Sequence, residues 1–547
     1  MNKLFIQLLE SRHITDDFLH PKYENLTDPY LIPDMEKAVS RIKEAIKNSE
    51  HVLIYGDYDV DGVTASTLME DALTLAGIKP ENITIMLPDR FADGYGMSPK
   101  IIQKAKDTNT TLVITVDCGS SNHDIIRELN TLKIDTIVTD HHECPEALPE
   151  ALAIINPKRK DQNIPDTLKN LAGVGVAFKL AEALKNANLI QSGQEKWLLD
   201  LVLIGTICDN MLLTGENRIL GYYGIKVLSK TRRRGLRELM RIAGVQPDRL
   251  TSESIGFQLG PRLNAAGRLD TAELSLNLLR TKSPTEAAAL TLKLEELNKS
   301  RRTEQRAATD EIATRYRETP NTSSVIIETG SWHEGILGIV AGHLVEDYHQ
   351  PAFVLTELEG NILKGSGRSF GDFNLAEALN HAKNTIISGG GHAGAAGVKL
   401  YKKDLVSFKN QINDYYKSLN LKDQDRYFVT TADLFTEVAE DFTLDLLDDL
   451  KLLEPYGAGN EEPIFCLRNA NILQIKHMGT NGQHLCLNLK SKDGKIIKCI
   501  AFSAPEKWFS LYQDENYDFT VKPIENYWNG VRSIEARLLD IKPSATS

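Results

Sequence analysis

Cysteine is scarce in this chain of 547 residues, with only Cys118, Cys144, Cys208, Cys466, Cys486 and Cys499, and none forms a CxxC pair. A zinc ribbon and a thioredoxin-type motif are thereby excluded, and so wide a scatter speaks against a disulfide framework. Long apolar runs are missing too. No stretch approaches the ~18 residues of a membrane span, so none is expected. The apolar stretch before Glu10 is too brief for a secretory leader. A reduced, cytoplasmic setting is the expectation. Positive charge is in deficit, with 63 Lys and Arg against 75 Asp and Glu and a net charge of −12, which excludes a uniformly basic nucleic-acid coat. No fixed-period repeat or low-complexity tract occurs. What remains is an ordinary globular composition, 41% hydrophobic and 25% charged, long enough for about three or four domains.

The pattern along the chain predicts an α/β protein with a terminal β-barrel. Residues 1–50 read as a helical lead-in broken by Pro21 and Pro33. From His51, short apolar runs (HVLIYGD, NITIMLP, TLVITVD, IDTIVTD) alternate with helical stretches, the signature of a mostly parallel, two-sided sheet over 51–280. Ser283-Pro284-Thr285-Glu286 is a helix-start signature. The helix after it has no internal Gly or Pro until Pro320 and suits a bridge between lobes, over 281–320. A second α/β lobe with two Gly-rich loops is expected over 321–425. Five strand-like runs separated by turns such as Asp493-Gly494 and Asn529-Gly530 predict a small five-stranded barrel over 426–547.

The chemistry sits where apolar strands end. HVLIYG runs into Asp57-Tyr58-Asp59-Val60-Asp61, TLVITV into Asp117, and DTIVT into Asp140-His141-His142-Glu143. In a parallel sheet these ends share one edge, where open α/β folds place ligands. Asp57, Asp59 and Asp61 at period two put three carboxylates together, a repulsion that cations would relieve. A lone DxDxDG run also occurs in calcium loops and solvated turns. An EF-hand requires Glu at its twelfth position, and the chain has Leu68 there. Oxygen and imidazole donors without thiolate favour Mn²⁺ or Mg²⁺ over Zn²⁺.

DYDVDG, VDCGSS and TDHHE together resemble the DHH phosphoesterase superfamily, whose fourth acid follows an apolar helix; WLLDLVLIGTICDN supplies Asp209. PDRFADGYG, LGPRLNAAGRLD, GSWHEGILGIVAG, GSGRS, SGGGHAGAAG and PYGAGNEEPIF narrow the resemblance to the RecJ single-stranded-DNA exonucleases, from about residue 50 to the end. Two departures stand beside Asp209, namely Cys208 and Asn210, where relatives carry Ala and a small apolar residue.

The resemblance implies a DHH domain, a DHHA1-like domain and an OB-type barrel. It implies a metal-dependent exonuclease of DNA repair and recombination that releases mononucleotides from the 5′ end of single strands. Asp59, Asp61, Asp117, His141 and Asp209 would hold two divalent ions, Mn²⁺ or Mg²⁺, with Asp117 between them. Asp57 would stand as an additional ligand or supporting acid, and His142 as an outer or phosphate-contacting catalytic group. Arg90, Tyr95, Arg262, Asn264, Arg268, Ser366, Arg368, Ser369 and His392 would receive the 5′ end, the Gly-rich stretches bringing backbone N–H groups close to an anion. Single-stranded DNA is the implied partner, with a single-strand-binding protein and a helicase as protein partners of a monomer. The competing readings are an oligoribonuclease or cyclic-dinucleotide phosphodiesterase of the superfamily, and a non-catalytic replication scaffold. The first generally lacks the barrel, and the second tends to lose ligands.

Charge is unevenly spread. Residues 226–249 carry Lys226, Lys230, Arg232, Arg233, Arg234, Arg237, Arg241 and Arg249 against Glu238 and Asp248, so either a solvated helix face or a phosphate-tracking surface lies there. Residues 435–463 hold nine acids and one base, most of the net charge. Phe465, Phe502, Trp508, Tyr527 and Trp528 of the barrel divide between core and base stacking, with one or two expected to face DNA.

Overall fold

The computed structural model describes residues 1–94, 96–421, 431–480, 482–513 and 515–544. Five parallel strands form the first sheet: β1 (His51–Gly56), β2 (Ile83–Met86), β3 (Thr110–Val116), β4 (Asp135–Thr139) and β5 (Ala153–Ile155), ordered β2-β1-β3-β4-β5. Alternate residues of β1 feed opposite cores. Val52 and Ile54 pack under helices Met35–Asn48, Val60–Ala76, Gly173–Asn186 and Leu199–Cys208, while Leu53 and Tyr55 pack under Lys100–Asp107 and His123–Thr131. Both faces are thus covered, which is why the strands read as unbroken apolar runs. Strand β5 was not anticipated, being only three residues long.

The bridging helix runs Pro284–Glu318, 35 residues, and the Ser283 side chain accepts from Glu286 N at 3.3 Å. Few of its positions are buried, and they divide between two cores: Ala287 and Leu294 in the first, Ala308 and Ile312 in the second lobe. That lobe holds β6 (Ile326–Gly330), β7 (Ala352–Leu358), β8 (Ile362–Arg368), β9 (Ser388–Gly391) and β10 (Ala395–Tyr401), ordered β6-β7-β8-β10-β9. Only the β6–β7 pair is parallel. The two Gly-rich loops expected here are not loops: Gly365 to Arg368 lie within β8, and SGGGHAGAAG is the β9–β10 hairpin. Glycine adds no side chain to either face, so it conceals the alternation by which a strand is read.

The C-terminal unit comprises β11 (Leu434–Thr436), β12 (Phe465–Met478), β13 (His484–Lys490), β14 (Ile496–Ala501), β15 (Asn516–Trp528) and β16 (Val531–Pro543). Pairing of β12 with β15 closes the five expected strands into a barrel, and β11 adds a sixth, parallel to β12. Asn529 and Gly530 take φ of 48° and 80°, the two left-handed positions of a tight hairpin turn. Phe465 and Trp508 belong to the barrel core, whereas Phe502, Tyr527 and Trp528 are exposed. The helical lead-in is split. Leu4, Phe5 and Leu8 of helix Lys3–Ser11 share the barrel-side core with Phe442 and Leu446, whereas Tyr23, Ile32 and helix Met35–Asn48 join the core of the first sheet.

Candidate active site

The carboxyl edge of the first sheet gathers the acids. Asp57 follows β1, Asp117 follows β3, and Asp140, His141 and His142 follow β4. Asp59 caps helix Val60–Ala76, accepting from Gly62 N at 3.1 Å, and Asp61 lies in that helix's first turn. A strand–turn–helix therefore brings together the three carboxylates that the sequence spaces at period two. Asp209 terminates helix Leu199–Cys208. The two residues flanking it have local explanations. Asn210 takes a left-handed φ of 55°, which Asn adopts more readily than an apolar residue, and Cys208 packs its sulfur against Gly260.

Side chains from four separate segments meet within 4 Å of one imidazole nitrogen. His141 Nε2 lies 3.1 Å from Asp117 Oδ1, 3.6 Å from Asp209 Oδ2 and 3.8 Å from Asp61 Oδ2. The Asp61 carboxylate is aimed by the start of helix Gly173–Asn186, accepting from Gly173 N at 2.6 Å and Val174 N at 2.9 Å. Position 173 must be glycine, because a Cβ there would stand 2.5 Å from the Asp117 side chain.

Electrostatically the cluster is one-sided. Burial, then Asp59, pushes the Asp57 carboxyl up to about 8 and that of Asp61 up to about 7. Burial, then Asp61, brings Asp209 to about 8, and burial with four neighbouring aspartates carries Asp117 well above its ordinary value. Burial and His142 hold His141 down to about 3, so its imidazole is a neutral lone-pair donor. Among the described residues, Asp57 Oδ1 and Asp117 Oδ1 are buried and receive no hydrogen bond. Ligand atoms of Asp57, Asp59 and Asp117 lie within 4.8 Å of one another, as do those of Asp61, His141 and Asp209, and those of Asp117, His141 and His142. Oxygen and imidazole donors without a balancing cation fit divalent metal ions of the Mn²⁺ or Mg²⁺ kind.

Asp140, absent from the sequence-level site, organises this edge. Its carboxylate accepts from Ser120 N (3.0 Å), His141 N (2.8 Å) and His142 N (3.1 Å) and pairs with His142 Nδ1 at 2.8 Å. Burial would raise its pKa, but these contacts, led by His142, hold it far below the usual range. Asn156 Nδ2 donates to Ser120 Oγ and to His142 O, both at 2.9 Å, and ties the loops together. The acid before the His doublet was the available signal for Asp140. Nothing local marked Gly173 or Asn156.

Arginines gather beside the acids. The Arg90 guanidinium stands 5.1 Å over the ring of Tyr58, the residue between Asp57 and Asp59. Burial, then Arg90, Arg301 and Arg368, lowers Arg268 to about 9, and burial with Arg90 lowers Arg368. Arg268 donates to Gly335 O at 3.3 Å, just ahead of helix Leu337–Tyr348. A Cβ at Gly338 would lie 2.9 Å from Ser366 Oγ and 3.0 Å from Arg368 Nη2, so the first turn of that helix abuts both. Arg90, Arg268, Arg368 and Ser366 thus converge with a helix start, and Asn264 lies one turn before Arg268 on the same helix. Other expected residues are placed differently. Arg262 is bound to Glu295 at 2.7 Å, the Ser369 hydroxyl donates to Phe373 O, and His392 is exposed at the β9–β10 turn. Tyr95 lies outside the described residues.

Comparison with known proteins gives this arrangement its class. Residues 51–206 match the DHH family N-terminal domain, 322–418 the DHHA1 domain, and 437–540 the RecJ OB domain. RecJ of Haemophilus influenzae is 31% identical over 563 aligned residues, covering 99% of this chain and 96% of its own, and RecJ of Escherichia coli is 33% identical, covering 93% and 90%. RecJ of Bacillus subtilis is 34% identical over 96% of this chain, which spans 65% of that relative's length. All three are described as single-stranded-DNA-specific exonucleases. The crystal structure of Thermus thermophilus RecJ in complex with Mn²⁺ superposes with a TM-score of 0.83 at 28% identity, covering all of this chain and 76% of the other. A Mg²⁺ complex of the same protein gives 0.78. The chain belongs to the RecJ family of single-stranded-DNA-specific exonucleases.

Proposed function

We infer that this chain is a single-stranded-DNA exonuclease that hydrolyses phosphodiester bonds from the 5′ end and releases mononucleotides with two divalent ions, Mn²⁺ or Mg²⁺. One observation carries the reading: among the described residues, a buried acid cluster that makes no ion pair with Lys or Arg adjoins an arginine cluster that makes none with a carboxylate. The first suits metal and the second suits phosphate. Asp57, Asp59 and Asp117 would hold one ion and Asp61, His141 and Asp209 the other, with Asp117 between them. Ions bound there would polarise the scissile phosphate and lower the pKa of an attacking water.

The protein's own part is placement. The N–H groups of Gly173 and Val174 fix the Asp61 carboxylate. Asp140 holds His142 through Nδ1, and overcomes burial to raise its pKa, so that a protonated ring can donate to a phosphate oxygen. Arg90, Arg268 and Arg368, with Ser366 and the first turn of helix Leu337–Tyr348, would grip the terminal 5′-phosphate; charged donors in a partly buried pocket hold an anion strongly. Among the described residues no helix is long and apolar enough to cross a membrane. A cytoplasmic monomer working beside a single-strand-binding protein and a helicase is the setting that the family resemblance suggests. The division at 1–50, 51–280, 281–320, 321–425 and 426–547 is proposed for the same reason, with the long helix setting the lobe of Ser366 and Arg368 over the acid lobe. Both competing readings are weaker, because the chain keeps the barrel and every expected acid and histidine.

The test is incubation with Mn²⁺ and a 5′-phosphorylated single strand labelled at either end, beside a dinucleotide. Stepwise release from the 5′ end is expected. Shortening from the 3′ end only, or cleavage of the dinucleotide alone, refutes the assignment.

A further inference from the structure

Helix Val60–Ala76 carries the acid cluster at its start, and a different site lies at its other end. Asp71, Thr74 and Leu75 line a cavity of about 500 Å³ together with Trp197, Arg232, Arg233, Arg234, Arg280 and Lys282. Ten residues of helix separate Asp71 from Asp61, about 15 Å at the α-helical rise, so this cavity is not part of the catalytic edge.

Its charges sort into two groups. Arg233 is anchored to Asp71 at 2.6 Å and to Asp200 at 3.3 Å, and Arg280 to Glu70 at 2.5 Å, which accounts for the carboxylates of the wall. Arg232, Arg234 and Lys282 are exposed and, among the described residues, make no ion pair. The Arg232 guanidinium lies 3.6 Å over the Trp197 ring, which fixes its plane while leaving its N–H edges toward solvent. Arg234 opens helix Arg234–Ala243, whose first turn has no acid and whose N-cap, Arg233, makes no side-chain cap. Arg232 and Arg234, on either side of the anchored Arg233, stand at the positive end of a helix dipole that repels them, and an anion reverses the sign of that arrangement.

We propose that this cavity is a second nucleic-acid contact, which takes phosphates of the DNA strand at a distance from the cleavage site. The inference rests on the reading of the chain as acting on DNA. Two features favour a strand over an acidic peptide. The apolar floor is meagre, since Leu198 and Leu279 are almost fully buried, and only Trp197 and part of Leu75 remain to hold an apolar anchor. Cations also flank the cavity's arginines in sequence, for Lys226, Lys230 and Arg237 are exposed and form no ion pair among the described residues. Repeating charge suits a repeating phosphate chain.

Binding is read in the full-length Asp117→Asn protein, so that the strand stays whole, with a fluorescent oligo(dT) of about 40 nucleotides. Adding Arg232→Ala, Arg234→Ala and Lys282→Ala is expected to weaken binding about tenfold and to flatten the slope of log affinity against log salt by about 2, three contacts at roughly 0.7 each. Arg232→Lys with Arg234→Lys retains charge and is expected to retain the slope, which separates lost contacts from lost fold. Unchanged affinity and slope in the triple alanine variant overturn the proposal. So does loss of binding to a labelled oligo-aspartate peptide in place of the strand, which makes the cavity a peptide site. Cleavage of the same oligonucleotide by the unsubstituted protein judges the nuclease reading separately.

Discussion

Two groups of buried charge lie in the same lobe and are balanced in opposite ways. At the sheet edge, Asp57, Asp61 and Asp117 are at most 4% exposed and, among the described residues, make no ion pair with Lys or Arg. Under the helical layer, Lys179 is wholly buried, but its ammonium contacts Glu182 at 2.6 Å, Glu216 at 2.7 Å and the carbonyl of Thr27 at 2.5 Å, and Glu216 also accepts from Thr27 N. Both groups bear the desolvation cost of burial. Only the second carries its own counter-ion and is complete as a piece of structure. The first is complete only when cations arrive from solution, and that asymmetry distinguishes a site from a buried brace.

The comparison breaks most visibly at its two centres. Asp117→Asn should lower cleavage by about 10³-fold or more, because an amide cannot serve two neighbouring ions. The same change should raise the melting temperature of metal-free protein by relieving repulsion, and Asn tolerates the left-handed φ of 60° at this position. A lower melting temperature without metal would mean that Asp117 is a structural acid. Lys179→Met should act in the reverse sense and destabilise the protein by about 3–5 kcal/mol in urea unfolding, since it strands two buried glutamates. A neutral outcome there would dissolve the contrast.

Metal then sharpens it. Titration with Mn²⁺ should stabilise the unsubstituted protein by about 2.7 kcal/mol at a hundredfold excess over Kd, and Lys179→Met by a similar increment, whereas Asp117→Asn should gain far less. Equal stabilisation of all three would place the ions elsewhere. Asp140→Asn tests the organiser of the edge. It keeps the shape but weakens the hold on His142, and a 10–100-fold loss of cleavage is expected, with Mn²⁺ affinity reduced less than the rate.

The sequence exposed the acid cluster because apolar strands are easily recognised and each one stops at an acid or histidine. Those residues could be placed on one edge from strand order alone. The arginine pocket was only partly legible: Arg90, Arg268, Arg368 and Ser366 meet, while Arg262 is taken by Glu295, a residue of the long helix whose proximity no local pattern encodes. Gly173 shows the same limit, for it serves Asp61 and Asp117 from far along the chain. Glycine hid the β9–β10 hairpin because alternation needs side chains. Asn210 looked like a departure beside a metal ligand and is a left-handed residue ending a helix, a demand of backbone conformation that composition does not announce.

The smallest effect concerns carboxylates at the rim of the same sheet. Glu50 meets Arg41 at 2.7 Å, and Arg41 also holds Asp135 at 2.6 Å. Burial would raise Glu50, but Thr111, Asn48 and Arg41 outweigh it and its pKa is lowered, the opposite direction from Asp57 and Asp61, which make no ion pair with Lys or Arg among the described residues. A carboxylate lowered in the folded state binds fewer protons there than in the unfolded chain. Its stabilisation is therefore present above the unfolded pKa, near 4.3, and disappears as pH falls through the folded value. Glu50→Gln should cost about 1 kcal/mol at pH 7, because Arg41 keeps Asp135 as its partner and the amide can still accept a hydrogen bond. The cost should vanish in acid, with urea midpoints of variant and unsubstituted protein converging below pH 4. A gap that persisted undiminished into acid would mean that Glu50 is held by packing, and that a partner cation is not what separates lowered carboxylates from raised ones in this lobe.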